Sequence, residues 1–350
     1  MRQITTLIGW LILLNGVACV GGEQDKNAIG DSARSITQAL SNGSASGFVR
    51  AYSPRQFVFP ADHGPHPEYK HEWWYITGNL RTDAGRHFGF QLTFFRFGLR
   101  PDAARRTSNW ATNQLYMAHF TLSDVASEKF HRFERFSRAA AGLAGATVSP
   151  FRVWLEDWLI ESATGRPVGR RPSLRLYASA ENIAIDLIGT SEKPIVLQGE
   201  RGLSRKSATL GNASYYYSAT RLRTDGVIQL GEQRFAVEGL SWLDREWATS
   251  VLDDDQAGWD WFAIQLADGY ELMFYQLRTR AGKVHPFSQG TFVAPDGSVR
   301  RLELDNVQLD VRDHWTSTRT GTRYPSRWHL SILDDDVRLQ INPYMMDQEL

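Results

Sequence analysis

Two blocks of the sequence place carboxylates beside large aromatic side chains, and they are the first candidates for chemistry. In the first block, residues 71–80, Glu72 precedes Trp73, Trp74 and Tyr75. The second block, residues 241–261, holds acids and tryptophans together: Asp244, Glu246, Asp260, Trp242, Trp247, Trp259 and Trp261. A carboxylate among indole rings is costly to bury unless it is hydrogen-bonded, ion-paired or protonated. The blocks therefore predict a catalytic or ligand-binding site.

Glu72 can be interpreted in two ways. Successive side chains of a strand face opposite sides, so Glu72 and Trp74 share one face while Trp73 and Tyr75 share the other. If Glu72 points into a barrel lined by aromatic rings, desolvation raises its pKa and makes it a proton donor. The alternative is a carboxylate at the rim of the barrel, paired with an arginine. The sequence leaves both interpretations open.

The second block raises the same question for two aspartates. Arg245 stands between Asp244 and Glu246 and can keep one carboxylate ionised, so a structural ion-pair cluster is favoured over a catalytic dyad. Asp260 lies between two tryptophans with no basic residue near it in sequence, which makes it a slightly stronger functional candidate than Asp244. We retain Glu72, Asp244 and Asp260 as catalytic candidates and the surrounding aromatics as ligand-binding candidates.

A histidine group precedes the first block. His63, His66 and His71 could in principle bind zinc, but Pro65 and Pro67 stiffen the segment and the spacing matches no compact zinc pattern. A turn packed beneath a strand is the favoured interpretation, and no metal is expected. The sequence also contains no P-loop, no dinucleotide-binding glycine pattern and no G-x-S-x-G elbow, so no cofactor is expected either.

The elements that must position these residues are β-strands. The 350 residues suggest about two domains, and the balanced charge gives no reason to expect nucleic acid as a partner. Residues 88–94 alternate between apolar and polar positions, as in a half-buried strand. Residues 213–222 predict a strand that turns at 224–226 into a second strand at 227–230. Only residues 130–143 and 151–159 look helical.

A weak internal repeat supports two β domains. Residues 73–96 and 259–276 each begin aromatic, reach an Asp and Gly pair (Asp83 and Gly85, Asp268 and Gly269) and return aromatic. Both segments predict a hairpin, although any two aromatic hairpins can resemble each other by chance.

The N-terminus has the features of an export signal. Arg2 precedes an apolar run from Ile4 to Leu14, which is too short to span a membrane in the mature protein. Small residues then lead to Cys19, the only cysteine, and this ending resembles a bacterial lipoprotein signal with Cys19 as the lipidated residue. An ordinary secretory peptide is the alternative. We expect a signal at residues 1–19, a flexible tether at 20–53 and a location in the cell envelope, facing the periplasm.

Three stretches together resemble one family. Residues 59–67 read Phe-Pro-Ala-Asp-His-Gly-Pro-His-Pro, residues 72–80 read Glu-Trp-Trp-Tyr-Ile-Thr-Gly-Asn-Leu, and residues 242–247 read Trp-Leu-Asp-Arg-Glu-Trp. With Gly-Trp-Asp-Trp-Phe at 258–262, they closely resemble the AttH-like family, exported bacterial proteins related to carotenoid 1,2-hydratase and often called predicted secreted hydrolases. The resemblance runs from about residue 54 to the end.

The resemblance implies an all-β fold of two consecutive lipocalin-like antiparallel barrels, here residues 54–246 and 247–350. Such barrels can enclose one apolar ligand. Family members continue beyond a segment like residues 342–350, so the resemblance also implies that the second barrel is incomplete at its C-terminus. The missing strands would leave an exposed edge unless a partner or a second copy completes the barrel.

The resemblance implies two functions. The favoured one is a lipid-anchored binding protein for a hydrophobic isoprenoid or lipid-like molecule, accessory to an ABC-transport system and attached to the membrane only through its lipid. The second is a cofactor-independent hydratase, which would add water to an isoprenoid C=C bond with Glu72, Asp244 or Asp260 as the acid. A hydrolase has the least support.

Overall fold

The computed structural model describes residues 45–101, 108–250, 252–335 and 337–350. Its elements are almost all strands, with four single-turn 3-10 helices in the described residues. The strands are β1 His71–Arg81, β2 His87–Gly98, β3 Gln114–Asp124, β4 Lys129–Arg138, β5 Ala144–Val148, β6 Phe151–Leu155, β7 Trp158–Ser162, β8 Ser173–Ala180, β9 Ile183–Ser191, β10 Val196–Leu197, β11 Leu203–Arg205, β12 Ala213–Leu230, β13 Gln233–Ala248, β14 Gln256–Gln265, β15 Glu271–Thr279, β16 Gln289–Val293, β17 Val299–Glu303, β18 Val307–Thr316, β19 Arg323–Ile332 and β20 Val337–Ile341. The 3-10 turns are Ala61–His63, Val125–Ser127, Leu304–Asn306 and Leu333–Asp335.

The first thirteen strands form one antiparallel sheet that curls into a nearly closed barrel. Its order is β4-β3-β2-β1-β13-β12-β9-β8-β7-β6-β5, with β10 and β11 paired to β12. One face of these strands supplies a continuous apolar core inside the barrel, with Trp74, Phe90, Phe120 and Trp158 among its largest members. The alternation predicted for residues 88–94 is therefore the inward face of β2.

The second lipocalin-like unit is built from two sheets around one core. The sheet β14-β15-β16-β17 and the sheet β18-β19-β20 are each antiparallel. Phe262 and Phe274 of the first sheet pack with Trp328 and Leu330 of the second. The predicted all-β fold of two consecutive lipocalin-like barrels is confirmed. Both aromatic hairpins are also present, as β1–β2 and β14–β15.

The two predicted helical segments are wrong. Residues 130–143 begin in β4, which pairs with β3 along its length. Residues 151–159 form β6 and the start of β7, reversed at Glu156, whose φ of 57° no α-helix allows. In both segments aromatic residues recur every three or four positions, which imitates a helical period.

The turn predicted at residues 224–226 is also wrong, because β12 runs straight through it and reverses only after Leu230. Gly226 is needed for another reason. A Cβ atom there would lie 2.2 Å from the carbonyl oxygen of Asp186 on β9. Glycine lets the two backbones approach each other, and its presence in the sequence therefore imitated a turn signal.

The N-terminal predictions fall mainly outside the described residues. The signal at 1–19, the lipidation site Cys19 and residues 20–44 of the tether are not described. Of the remaining tether, Phe48 and Ala51 are buried. The change from the first to the second barrel lies between Ala248 and Gln256, where β13 ends and β14 begins.

Buried charges join the two barrels. Lys193, which follows β9, donates to Glu271 of β15 at 2.7 Å, and the Arg221 side chain of β12 donates to the other carboxylate oxygen at 2.5 Å. Gln265 of β14 also donates to the carbonyls of Thr220 and Ser241. These contacts fix the hairpin β14–β15 against the outer face of the first barrel.

Candidate functional site

Strand alternation divides the candidate acids between two faces of the same strand pair. Strands β1 and β13 are hydrogen-bonded neighbours, with Tyr75 opposite Asp244 and Glu72 opposite Trp247. Glu72 faces the interior of the first barrel, as Trp74 does, whereas Trp73, Tyr75 and Asp244 face outward toward β14 and β15. The face shared by Glu72 and Trp74 was predicted correctly.

On the inner face, Glu72 is the centre of a buried ion-pair cluster. Its carboxylate pairs with Arg96 through Nε and with Arg245 through Nη2, the latter at 2.5 Å. The backbone N–H of His66 donates to both oxygens at 3.0 and 3.1 Å. Although burial opposes ionisation, the two guanidinium groups and the His66 contacts hold the pKa of Glu72 below its ordinary value. Glu72 thus lies inside the barrel, as in the first interpretation, but is paired with arginine, as in the second, and its lowered pKa does not fit a proton donor.

The segment with His63 and His66 closes the end of the first barrel at which Glu72 lies. The His66 ring stacks on Trp247 with centroids 3.8 Å apart, and its Nε2 lies 3.2 Å from a carboxylate oxygen of Asp62. His63 accepts from or donates to the Tyr217 hydroxyl at 2.7 Å. This arrangement is the predicted turn packed beneath a strand. The described residues contain no group of three or more His, Cys, Asp or Glu side chains that could hold a metal ion.

On the outer face, a pocket lies between the first barrel and the β14–β15 hairpin. It is open to solvent on one side. Aromatic and aliphatic side chains dominate its walls, and its polar members are few. The lining residues are Trp73, Tyr75, Thr93, Phe95, Lys206, Tyr216, Asp244, Glu246, Leu252, Trp259, Trp261, Tyr275 and Leu277.

Asp244 is the acid of this pocket. Burial raises its pKa to about 7, with a smaller contribution from the charge of Glu246. Ser218 Oγ and Trp242 Nε1 donate to the same oxygen, Oδ1, at 2.5 and 2.7 Å, and the Tyr216 hydroxyl also favours the ionised form. Because Ser218 and Trp242 both donate to Oδ1, we expect Oδ2 to carry the proton when the group is protonated. With its pKa raised this far, the carboxyl group can keep a proton at pH values where an ordinary aspartate is ionised.

Arg245 does not serve Asp244, contrary to the prediction that it keeps a neighbouring carboxylate ionised. Adjacent residues of a strand face opposite sides, so Arg245 points inward to Glu72 and stacks on Trp74 at 4.0 Å. Asp244 is left facing the pocket, no described arginine pairs with it, and burial is the largest influence on its pKa.

The polar end of the pocket carries a buried lysine. Lys206 Nζ lies 3.2 Å from Glu246 Oε1 and donates to Ser204 Oγ at 3.1 Å. It also lies 4.2 Å from the ring centroid of Tyr275. Burial opposes its charge, but Glu246 and Tyr275 outweigh burial and raise the pKa of Lys206. Lys206 and Glu246 therefore form an ion pair without net charge. Of the two acids that line the pocket, Asp244 is the one without a cationic partner among the described residues.

Asp260 lies outside the pocket. Trp259 and Trp261 line it, so Asp260 faces the opposite side of β14, together with Phe262 and the core of the second barrel. Burial raises the pKa of Asp260, and Arg278 at 3.7 Å opposes that rise. The sequence indicated no basic residue near Asp260, and the structure supplies one from the neighbouring strand.

The structure thus brings together only part of the predicted set. Asp244, Trp73, Tyr75, Trp259 and Trp261 line one pocket, and Trp242 supports its acid. The other predicted residues lie elsewhere: Glu72, Trp74 and Trp247 face the first barrel's interior, and Asp260 faces the second core. Sequence reasoning missed Lys206, Phe95, Tyr216 and Tyr275. Strand alternation around Tyr216 was the available signal, because it separates Tyr216 from Tyr215 and Tyr217.

The fold and pocket define a class: an all-β protein of two lipocalin-like units with an aromatic, acid-bearing cleft between them. The AttH-like family model matches residues 50–350, and the chain belongs to that family. A crystal structure of a candidate AttH protein from Nitrosomonas europaea is similar, with a TM-score of 0.77 and 34% identity over 87% of this chain and 89% of that one.

Kievitone hydratase from Nectria haematococca shares the fold, with a TM-score of 0.64 and 14% identity over 87% of each chain. No curated protein matches the sequence. Within the described residues, no helix has the length and apolar character needed to cross a membrane.

Proposed function

We propose that the outer pocket binds an apolar molecule with an isoprenoid C=C bond and that Asp244 protonates this bond so that water can add to it. The observation that carries the proposal is a buried carboxyl group with a pKa of about 7 on an aromatic wall. An acid whose pKa lies near the working pH keeps both a protonated population and a proton-transfer driving force. No cofactor is needed for this reaction.

The reaction balances with this single acid. Asp244 gives the proton on Oδ2 to the less substituted alkene carbon, and the π electrons form the new C–H bond, leaving a tertiary cation. The oxygen of a water molecule then forms the C–O bond. The surplus proton of that oxygen returns to the Asp244 carboxylate, so the sum is alkene plus water giving a tertiary alcohol.

The walls suit the cationic intermediate. The rings of Trp73, Tyr216, Trp259 and Trp261 line the same pocket as Asp244, and the negative face of an aromatic ring attracts a cation within about 6 Å. The Lys206 charge is opposed by its pairing with Glu246. The name of the structurally similar kievitone hydratase is consistent with hydration chemistry, although the likeness to this chain is one of fold.

The test is hydration of farnesol in isotope-labelled water, with the tertiary alcohol detected by mass spectrometry. We expect wild-type protein to incorporate the label. Asp244→Asn keeps the shape of the side chain but supplies no acid, so it should lower the rate about 10²- to 10⁴-fold. Asp260→Asn is the matched control because it removes a buried acid outside the pocket, and it should retain activity. Full activity of the Asp244 variant would overturn the proposal.

A second candidate is binding without chemistry, which the predominantly apolar lining of the pocket favours. Displacement of the neutral fluorescent probe N-phenyl-1-naphthylamine by farnesol would measure it. If both variants and the wild type bind farnesol and none hydrates it, the protein is a carrier. Anchoring through Cys19, a periplasmic location and association with an ABC transporter stay predictions.

A further inference from the structure

Tyr75 carries a buried hydroxyl group that makes no hydrogen bond with any described residue. The side chain lines the outer pocket and is 5% exposed. Thr77, the next residue on the same face of β1, is close enough to influence the Tyr75 hydroxyl, but it donates its own hydroxyl to the carbonyl of Phe90 at 2.9 Å and leaves Tyr75 outside hydrogen-bond geometry. An unsatisfied buried hydroxyl opposes folding, so its retention in a ligand pocket indicates that a bound molecule uses it.

The Tyr75 ring is fixed beside the acid. Tyr75 lies directly opposite Asp244 in the β1–β13 ladder, and both side chains face the pocket. Side chains in such opposed pairs begin about 5 Å apart at their Cβ atoms. Trp261 meets the Tyr75 ring edge-on with centroids 5.4 Å apart, which restrains its orientation. The hydroxyl is therefore held rather than free to swing into solvent.

The two other tyrosines of the pocket differ from Tyr75. The Tyr275 hydroxyl bonds with Ser204 at 2.9 Å and accepts from Gln289 at 2.7 Å. The Tyr216 hydroxyl accepts from Trp261 Nε1 at 3.3 Å. Both serve the protein's own network. Tyr75 is thus the pocket tyrosine whose hydroxyl is left for a ligand among the described residues.

We propose that Tyr75 is a further catalytic residue, whose hydroxyl binds the oxygen atom that adds to the substrate next to Asp244. The inference rests on the proposed function and assigns the place of the nucleophile within it. Burial raises the pKa of Tyr75 well above its ordinary value, so the phenol keeps its proton. It can donate one hydrogen bond to the water oxygen and accept another from the water, and it changes no bond of its own.

The hydroxyl of the hydration product occupies the position of the added water, so product-like alcohols test the inference at equilibrium. Hydroxycitronellol carries the tertiary alcohol that hydration of an isoprenoid end forms, and tetrahydrogeraniol is the same chain without it. Displacement of N-phenyl-1-naphthylamine gives the affinity of each. In Tyr75→Phe the preference for hydroxycitronellol over tetrahydrogeraniol should fall about three- to tenfold relative to wild type, the worth of one hydrogen bond.

Thermal unfolding adds a readout that a structural role would not produce. Tyr75→Phe should leave the midpoint unchanged or raise it, because an unpaired hydroxyl is removed. Tyr217→Phe is the matched control: its hydroxyl contacts His63 and the carbonyl of Asp62, so its loss should lower the midpoint. The Tyr217 variant should also keep the wild-type preference between the two alcohols.

The outcomes separate the inference from the function beneath it. An unchanged preference in Tyr75→Phe, or a lower unfolding midpoint, would overturn the role of Tyr75 while hydration by wild-type protein still upholds Asp244. If neither alcohol displaces the probe from wild-type protein, the proposed function fails, and the inference fails with it. If Tyr75→Phe loses the preference for hydroxycitronellol, hydrates farnesol more slowly and binds farnesol as tightly as wild type does, the role of Tyr75 and the proposed hydration are both supported.

Discussion

Glu72 and Asp244 occupy opposite faces of the same pair of strands, and their environments differ in the source of positive charge. Glu72 is enclosed by Arg96 and Arg245, which hold its pKa down. Asp244 has hydroxyl and indole donors but no cationic partner among the described residues, and burial raises its pKa to about 7. Two carboxyl groups that are both buried thus have their pKa values shifted in opposite directions. Counter-ions, rather than aromatic neighbours, decide which acid can donate a proton.

The comparison predicts its largest effect for Glu72→Gln. The variant leaves two buried guanidinium groups without their carboxylate, and breaking such a pair costs about 3–5 kcal/mol. We expect the free energy of unfolding in urea to fall by that amount or the protein to fail to fold. Asp186→Asn is the control, because Asp186 forms an exposed pair with Arg175 at 2.9 Å and should cost about 1 kcal/mol or less. If Glu72→Gln is as stable as Asp186→Asn, Glu72 does not stabilise the fold through Arg96 and Arg245.

The second effect has the opposite sign. The pKa of Asp244 rises from 3.8 to about 7 on folding, so between these values the folded state holds a proton that the unfolded state has lost. Stability contributed by this group is therefore present below pH 4 and falls as the pH rises through 7, by on the order of 4 kcal/mol. Asp244→Asn cannot ionise, so the free energy of unfolding of the variant should increase relative to that of the wild type between pH 5 and pH 8.

Urea unfolding of both proteins across this range measures that gain. A stability difference independent of pH would show that Asp244 is ionised in the folded state at pH 5. The Glu72 cluster cannot imitate the effect. Its lowered pKa gives stability that is present above pH 4.5 and is lost only on acidification.

The smallest effect sharpens the role of the donors. Ser218 bonds to Oδ1 of Asp244 and favours its ionised form, so Ser218→Ala should raise the pKa of Asp244 by about one unit. Hydration needs the protonated acid, so the pH at which farnesol hydration falls to half should move upward by the same amount. Ser162→Ala removes a hydroxyl bonded only to the Arg166 carbonyl, outside the pocket, and should leave the profile in place. If the pH profile of farnesol hydration moves in neither variant, Asp244 is not the acid that controls this profile.

The resemblance to the AttH-like family implied the fold of two lipocalin-like barrels, and local periodicity accounts for the individual strands that could be predicted. Alternation in residues 88–94 revealed the inward face of β2, and the repeat of two aromatic hairpins revealed β1–β2 and β14–β15. The same rule correctly separated Glu72 from Trp73. It could not identify partners across strands. Arg96 reaches Glu72 from β2, and Lys206 reaches Glu246 from the residue after β11.

Proximity in sequence was misleading at Arg245. It stands next to Asp244, yet the pleat of β13 sends the two side chains to opposite faces. Of the three candidate acids only Asp244 lines the pocket, and the arginine expected to pair within its own segment pairs with Glu72 of the neighbouring strand instead. The raised pKa that one interpretation gave to Glu72 is found instead at Asp244 and, with Arg278 opposing it, at Asp260.

Titration of Asp244 itself tests most directly whether the pKa of this buried acid is raised in the folded protein. Carbon-13 NMR of aspartate-labelled protein, with the resonance assigned by its absence in Asp244→Asn, follows the carboxyl group through the pH range. We expect a midpoint close to 7. A midpoint below 5 would mean that Asp244 is ionised in the folded protein at neutral pH and cannot be the proton donor of the pocket.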